Sequence, residues 1–190
     1  MQSVASQTVA SSPSVGQFRT AFEGRLRAIS LAHDILTQLR WGQVDLEHLV
    51  ERSLAPYGGG GRVAWSGPTL LLPAQSVVSL AMVLDELSTN AAKYGAFSNG
   101  RGRVETVWRR LESGMAELVW TERDGPPLAG EPVPGFGNKL ISRLMSYDLQ
   151  GSAKMHYEPD GLVCRLTFRL PHASAPEMTY ADATLAPPGN

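Results

Sequence analysis

The sequence predicts an α+β fold: a two-layer α/β sandwich with a mixed sheet and helices on one face, preceded by a helical hairpin fragment. Three observations lead there. Apolar residues recur at helical spacing over 18–39 and 74–94. Alternating segments come in two hairpin pairs, over 103–122 and 151–170. Stretches rich in Gly and Pro separate these blocks.

Residues 1–16 are rich in Ser and Ala. Phe18, Phe22, Leu26, Ile29, Ala32/His33 and Leu36 then keep helical spacing and predict one helical face. A second short helix is expected over Val44–Leu54, ended by the Pro-Tyr-Gly-Gly-Gly-Gly run at 56–61. Arg62–Ser66 and Thr69–Leu72 read as short strands around a Gly67-Pro68 turn. The long helix runs from Ala74 to Tyr94, with Gly95 the expected C-terminal cap. Strands Arg103–Arg109 and Met115–Glu122 come next, joined at Glu112-Ser113-Gly114. A loop over Asp124–Gly137 leads into a helix over Asn138–Tyr147. Gly151–Tyr157 and Leu162–Leu170 close the domain as a hairpin around Pro159-Asp160-Gly161. In the last strand Leu162, Cys164, Leu166, Phe168 and Leu170 share one face, and Arg165, Thr167 and Arg169 the other. The expected organisation is a helical piece over 1–43, the sandwich over 44–171, and a disordered tail over 172–190, which has little apolar periodicity.

Composition narrows the function. The chain has 190 residues, 43% of them apolar, enough for a real core. Charge is balanced at 17 basic against 18 acidic residues, net −1. A nucleic-acid groove or an anionic membrane surface demands a cationic excess, so neither partner is expected. One cysteine, Cys164, excludes an internal disulfide, and four histidines form no zinc pattern with it. No apolar run approaches the ~20 residues that cross a bilayer. The start, MQSVASQTVASS, lacks the pattern of a secretory signal. A cytoplasmic setting is expected.

The chemistry gathers on the long helix. At about 100° per residue, Leu80, Leu84, Leu87 and Ala91 fall on one side. Glu86, Asn90 and Lys93 fall together on the opposite side, at i, i+4 and i+7. An acid, an amide and a base on one stripe suit a phosphate and a divalent metal. An isolated stripe of this kind is more often a solvated face. Two segments C-terminal to it argue otherwise. Glu122 has the parity of Ala116, Leu118 and Trp120, so a strand-end carboxylate is partly buried and needs a donor, such as a purine amine or Arg123. Asp124–Gly137 holds four prolines and four glycines in fourteen residues. A loop that long in a compact domain tends to be functional, often a lid. Gly135-Phe136-Gly137 comes immediately before a helix, where glycines let backbone N–H groups approach an anion.

This order resembles the ATP-binding domain of sensor histidine kinases. Glu86-Leu-Ser-Thr-Asn-Ala-Ala-Lys-Tyr-Gly-Ala-Phe-Ser98 and Trp120-Thr-Glu122 resemble the HWE subfamily, named for a His in the first box and Trp-x-Glu in the second. Arg25-Leu-Arg-Ala-Ile-Ser-Leu-Ala-His-Asp-Ile-Leu36 is similar to that subfamily's second dimerisation helix. The resemblance covers about residues 1–171. It implies a protein-histidine kinase with ATP and Mg²⁺. Asn90 would ligate Mg²⁺ and Glu86 would act as general base or metal-shell acid. Lys93 and Tyr94 would contact phosphate and nucleotide. Glu122 would read the adenine amine, with Asp124 and Gly125 shaping the pocket floor. Gly135, Phe136 and Gly137 would form the lid hinge and phosphate contact, and Leu140 would be a further ATP-binding residue. The phosphoryl group would pass to a histidine and on to an aspartate of a response regulator. The N-terminal helices would support a homodimer.

Two departures qualify this. The naming His is Asp85 here, to the side of the stripe. No His-Arg-x-x-Asn acceptor box is present, and Gln2–Thr8 resembles the segment just after one, so the chain is expected to begin past its own phosphoacceptor. His33, beside Asp34, is the one candidate acceptor on the chain, although its place in the second helix implies a structural role. His48, His156 and His172 are assigned nothing. The alternative is an inactive kinase-like docking module that binds a protein partner without using ATP. Asp85 and the missing box are compatible with that. Glu86, Asn90, Lys93, Glu122 and Gly-Phe-Gly argue against it. An ATPase of the wider superfamily is disfavoured by the short length.

Overall fold

A computed structural model describes residues 15–127 and 136–170. In chain order the elements are helix α1 (Val15–Gln38), strand β1 (Val44–Asp45), helix α2 (Leu46–Leu54), strands β2 (Val63–Ser66) and β3 (Leu71–Leu72), and helix α3 (Ala74–Lys93). Strands β4 (Arg103–Arg110) and β5 (Met115–Arg123) come next, then helix α4 (Phe136–Arg143), which runs on into one wide turn over Leu144–Asp148. Strands β6 (Ser152–Glu158) and β7 (Gly161–Arg169) complete the fold.

The main sheet has the order β2-β4-β5-β7-β6. Strand β2 runs parallel to β4, and every other pair is antiparallel. The alternation in the sequence becomes a one-sided sheet. Val104, Thr106 and Trp108 of β4, Ala116, Leu118, Trp120 and Glu122 of β5, and Leu162, Cys164, Leu166 and Phe168 of β7 are all buried, while the intervening residues are partly or fully exposed. Register stacks these residues across strands: Trp108 faces Leu118, Leu118 faces Leu166, Trp120 faces Cys164 and Ala116 faces Phe168. Helix α3 is the centre of the second layer. Its Leu80, Leu84, Leu87 and Ala91 are fully buried. Helices α1, α2 and α4 all pack on it.

Several elements differ from the expectation for physical reasons. Asp45 has an extended backbone and its carboxylate accepts from Glu47 N–H at 3.1 Å. It therefore caps α2 from outside, and Val44–Asp45 pair with Leu71–Leu72 as a small second sheet. Strands β2 and β3 consequently do not form a hairpin around Gly67-Pro68. Gly95 is not a left-handed cap (φ −113°); the close approach of the Glu122 carboxylate is what demands glycine there. The buried stripe of α1 is Arg25, Ala28, Ala32 and Ile35 with Leu36, whereas Leu26 is 46% exposed. Large apolar residues pointed to a neighbouring face. Small ones decide the contact, because α1 lies close against α3. The tail over 172–190 lies outside the described residues.

Arg62, at the entry to β2, ties down the segment after α3. Its Nε donates to Gly102 O at 2.9 Å, and its Nη2 donates to Ala96 O at 2.9 Å and Asn99 O at 2.7 Å. The guanidinium also lies 5.4 Å from the centre of the Phe97 ring. Hydrogen bonds to a charged group each contribute about 1.5–3 kcal/mol and are not additive. Arg62→Ala is therefore expected to lower stability by about 2–4 kcal/mol in urea denaturation with the slope unchanged. Arg62→Lys should recover only part of this, since an ammonium cannot reproduce the fork.

Candidate functional site

The C-terminal half of α3, the end of β5, the start of α4 and the β6–β7 turn enclose a cleft of about 350 Å³. Asn90, Tyr94, Glu122, Gly137, Asn138 and Tyr157 supply its polar groups, with Leu87 and Leu162 among its apolar walls.

Glu122 arrives in the cleft because its parity on β5 turns it to the helical side, where it is 4% exposed. Its Oε2 accepts from Ala96 N–H at 2.8 Å, and its Oε1 accepts from the Trp120 indole N–H at 3.2 Å. Each oxygen keeps one further lone pair. Burial pushes the Glu122 carboxyl above the usual range, and the Ala96 and Trp120 hydrogen bonds pull it back. A side chain at Gly95 would overlap Glu122 Oε2, so the chain leaves α3 through the one residue that lets the carboxylate dock there. Cys164, opposite Trp120, has its thiol pushed up to about 12 by burial and is no nucleophile at neutral pH.

At the other wall the α3 stripe meets α4. A Cβ at Gly137 would stand 2.9 Å from Glu86 Oε2 and 3.4 Å from Asn90 Nδ2. The first turn of α4 thus seats its backbone directly on the acid and the amide. Glu86 Oε1 lies 3.4 Å from Nη2 of Arg25, which comes from α1 and is itself buried. Burial raises the Glu86 pKa, and the Arg25 charge and hydrogen bond lower it, with Lys93 adding to them. Asn138 Nδ2 donates to the Tyr157 hydroxyl at 3.2 Å across the cleft.

The structure places the other expected residues around this cleft and away from it. Tyr94 lines the cleft and is 70% exposed. Lys93 is exposed at the end of α3 and is not among the lining residues. Gly125 lines the cleft, but Asp124 turns outward: its Oδ2 takes Nη2 of Arg103 at 2.6 Å and Nε at 3.1 Å. An available cation across β4 explains that turn. Leu140 is buried behind the cleft and does not line it. Gly135 lies outside the described residues, and Phe136 is described only as the first residue of α4. His33 is exposed, its ring edge-on to Trp41 at 5.8 Å. Gly24 meets Asp85 while Ala28 and Leu31 lie near Ala81, so α1 runs antiparallel to α3. His33 is eight residues beyond Arg25, about 12 Å along the helix and away from the cleft.

Sequence reasoning alone misses Arg25, Asn138 and Tyr157. A charged residue flanked at i+3 and i+7 by small apolar ones, Ala28 and Ala32, is the available signal for Arg25. Tyr157 and Asn138 carry none, since their pairing spans the hairpin and α4. Among the described residues no three His, Cys, Asp or Glu side chains gather into a metal cluster.

Solved structures share this fold. The histidine kinase domain of the Erythrobacter litoralis EL346 blue-light activated histidine kinase matches with a TM-score of 0.63 at 16% identity, over 79% of this chain and 75% of that one. The catalytic domain of histidine kinase ThkA matches at 0.53 and 12% identity, over 67% of this chain and 95% of that one. ThkA in complex with the response regulator protein TrrA matches at 0.52 and 11% identity, over 84% and 52%. The fold is therefore that of a histidine kinase catalytic domain. In sequence, residues 1–69 match the HWE histidine kinase family. The blue-light-activated histidine kinase of Brucella anthropi is 33% identical over 193 aligned positions, 99% of this chain and 39% of that protein. That of Brucella ovis is 32% identical over 168, covering 86% and 34%. The chain thus spans about two fifths or less of the curated relatives it matches, and its sequence is similar to the histidine kinases of the HWE type.

Asp85, beside the stripe, is pushed up to about 6, chiefly by burial and also by Glu86, against the pull of Arg27, Lys93 and Arg25. A carboxyl whose pKa is raised on folding binds its proton more tightly in the folded chain. Stability therefore falls as pH rises from the unfolded value near 3.8 to about 6, and the loss is constant above that. Asp85→Asn is expected to stabilise the chain at pH 7 by roughly 1–2 kcal/mol, allowing for the partial exposure of the group. In urea titrations the gain should shrink as pH falls from 6 towards 4. A gain independent of pH would show that Asp85 carries no such cost.

Proposed function

We propose that this chain is the ATP-binding catalytic part of a two-component sensor histidine kinase of the cytoplasm, transferring the ATP γ-phosphoryl group to a histidine and onward to an aspartate of a response regulator. The observation that carries this reading is the convergence of Glu86 and Asn90 of α3 on the backbone of Gly137: Asn90 and Gly137 line the cleft with Glu122, and Glu86 stands next to Gly137 without lining it.

The residues present suit a triphosphate and a hard cation. A Cβ at Gly137 would crowd the Glu86 carboxylate at 2.9 Å, and the N-terminal N–H groups of α4 beside it suit a phosphate oxygen. An amide oxygen and a carboxylate are oxygen ligands of the kind Mg²⁺ takes, usually with one or two protein groups and the rest from phosphate and water. Bound Mg²⁺ supplies neutralisation of the phosphate charge during transfer. Asn90 holds the metal side of the phosphates, and Glu86, beside it, orients the metal shell or accepts the proton of the incoming nucleophile. Tyr94, on the cleft wall and largely exposed, would contact the nucleotide. Lys93, exposed and long, reaches the phosphates from the rim. Glu122 uses its free lone pairs to accept the exocyclic amine of adenine while Trp120 and Ala96 hold it still. Gly125 lets the β5 end pass close beneath the base. Helix α1, whose Leu26 stays exposed, carries the surface for pairing with a second copy. The receiving histidine lies elsewhere than His33, in keeping with that residue's position away from the cleft.

Calorimetry with Mg-ATP tests the reading directly. Binding is expected at sub-millimolar affinity and should be competed by ADP. No heat and no competition would leave the non-catalytic docking module. Asn90→Ala is expected to remove the Mg²⁺ dependence and weaken Mg-ATP binding at least ~tenfold. Unchanged affinity in the presence of Mg²⁺ would show that the metal is held by other groups. The chain alone is not expected to become labelled from radioactive ATP; acid-labile label on it would return attention to His33.

A further inference from the structure

We propose that Arg25 of α1 is a positioning residue for the nucleotide cleft: it holds the Glu86 carboxylate in place beside Asn90 and Gly137, so that metal-dependent nucleotide binding requires α1 to be docked on α3. The inference rests on reading the cleft as a Mg-ATP site.

The two oxygens of Glu86 are divided between two neighbours. Oε1 lies 3.4 Å from Arg25 Nη2, on the α1 side, and Oε2 is the atom that a Cβ on Gly137 would meet at 2.9 Å, on the α4 side. The Arg25 side chain is 2% exposed and that of Glu86 13%, so this is an interior pair. Gly24, just before it, is as close to α3 as a glycine allows, since a Cβ there would stand 2.9 Å from Asp85 Oδ2. The seating of α1 thus delivers a cation to a fixed point behind the cleft. Stability does not account for that cation. Buried ion pairs are often matched or exceeded by apolar replacements, and Ala28, Ala32 and Ile35 already bury α1. What the pair does is fix the charge and the direction of one carboxylate. The charged groups around Asp85 and Glu86 are Arg25 and Arg27 from α1 and Lys93 from α3, while α4 presents the uncharged backbone of Gly137. Of these, Arg25 alone hydrogen-bonds Glu86. Because coupling is reciprocal, binding of Mg-ATP would in turn strengthen the docking of α1. A shift of that helix would then be transmitted to the nucleotide.

The test is calorimetric titration of Mg-ATP, and separately of ADP in EDTA, into the wild-type chain and the variants Arg25→Gln, Arg25→Lys, Glu86→Gln and the double variant Arg25→Gln/Glu86→Gln. Arg25→Gln is expected to weaken Mg-ATP binding by roughly tenfold and leave metal-free ADP almost unchanged. Arg25→Lys should recover much of the loss. In the Glu86→Gln background, Arg25→Gln should have little further effect. An unchanged metal dependence in Arg25→Gln, or its full loss persisting without Glu86, would overturn the positioning role while leaving the nucleotide site intact. A wild-type chain that binds neither ligand would overturn both readings together.

Discussion

Burying Leu80, Leu84, Leu87 and Ala91 of α3 on the sheet is the constraint from which the other contacts derive. Three fully buried leucines contribute roughly 1.5–3 kcal/mol each, and together they outweigh any single polar contact. Once that face is fixed, helix geometry fixes the others. One flank of α3 turns to α1 and sets Asp85 and Glu86 against Gly24 and Arg25. The adjoining flank turns Asn90 to the cleft. The last turn brings Gly95 and Ala96 onto the end of β5. A rotation of α3 by one residue would expose a leucine and at the same time withdraw the acid and the amide from Gly137. Core and cleft are therefore selected by the same burial.

The polar groups around α3 are there at some cost to the fold. Glu86, Asp85 and Glu122 all have raised pKa values, each with burial as the leading cause. Each has its own compensating group: Arg25 of α1 pairs with Glu86, the charge of Arg27, also of α1, favours ionised Asp85, and Ala96 N–H and the Trp120 indole donate to Glu122. Three acids near one helix, each with its own partner, describe a site in which the fold tolerates desolvated charge instead of replacing it with apolar side chains.

Much of this is legible in the sequence because it rests on period. The 3.6-residue repeat locates α3 and its two faces, and the two-residue repeat locates β4, β5 and β7 and turns Glu122 inward. The HWE resemblance then joins Glu86, Asn90, Glu122 and the Gly-Phe-Gly run into one site without any distance. What is illegible depends on contact between elements. Arg25 is hidden because the face of α1 that packs is made of alanines, which carry little weight in a count of large apolar residues. Asp124 is misplaced by sequence because its partner, Arg103, is its neighbour only through the register of β4 with β5. Gly95 stands out in the sequence for the wrong reason. Its φ is unremarkable, and the demand for glycine comes from the Glu122 carboxylate arriving from another strand.

The hydrogen bond from Trp120 to Glu122 has an optical consequence. The indole is fully buried, meets the edge of Phe97 at 6.5 Å, and through Phe97 the stacked ring of Tyr57 at 4.7 Å. Its Nε1–H donates to the carboxylate at the back of the cleft. A change in the charge or the bonding of that carboxylate alters the field along the indole, while the exposed Trp41 at the far end of α1 reports solvent instead. Of the chain's four tryptophans, Trp120 is wired to the cleft while Trp108 donates to Pro68 O instead, so a change at the cleft reaches the intrinsic emission through Trp120 without attaching a dye.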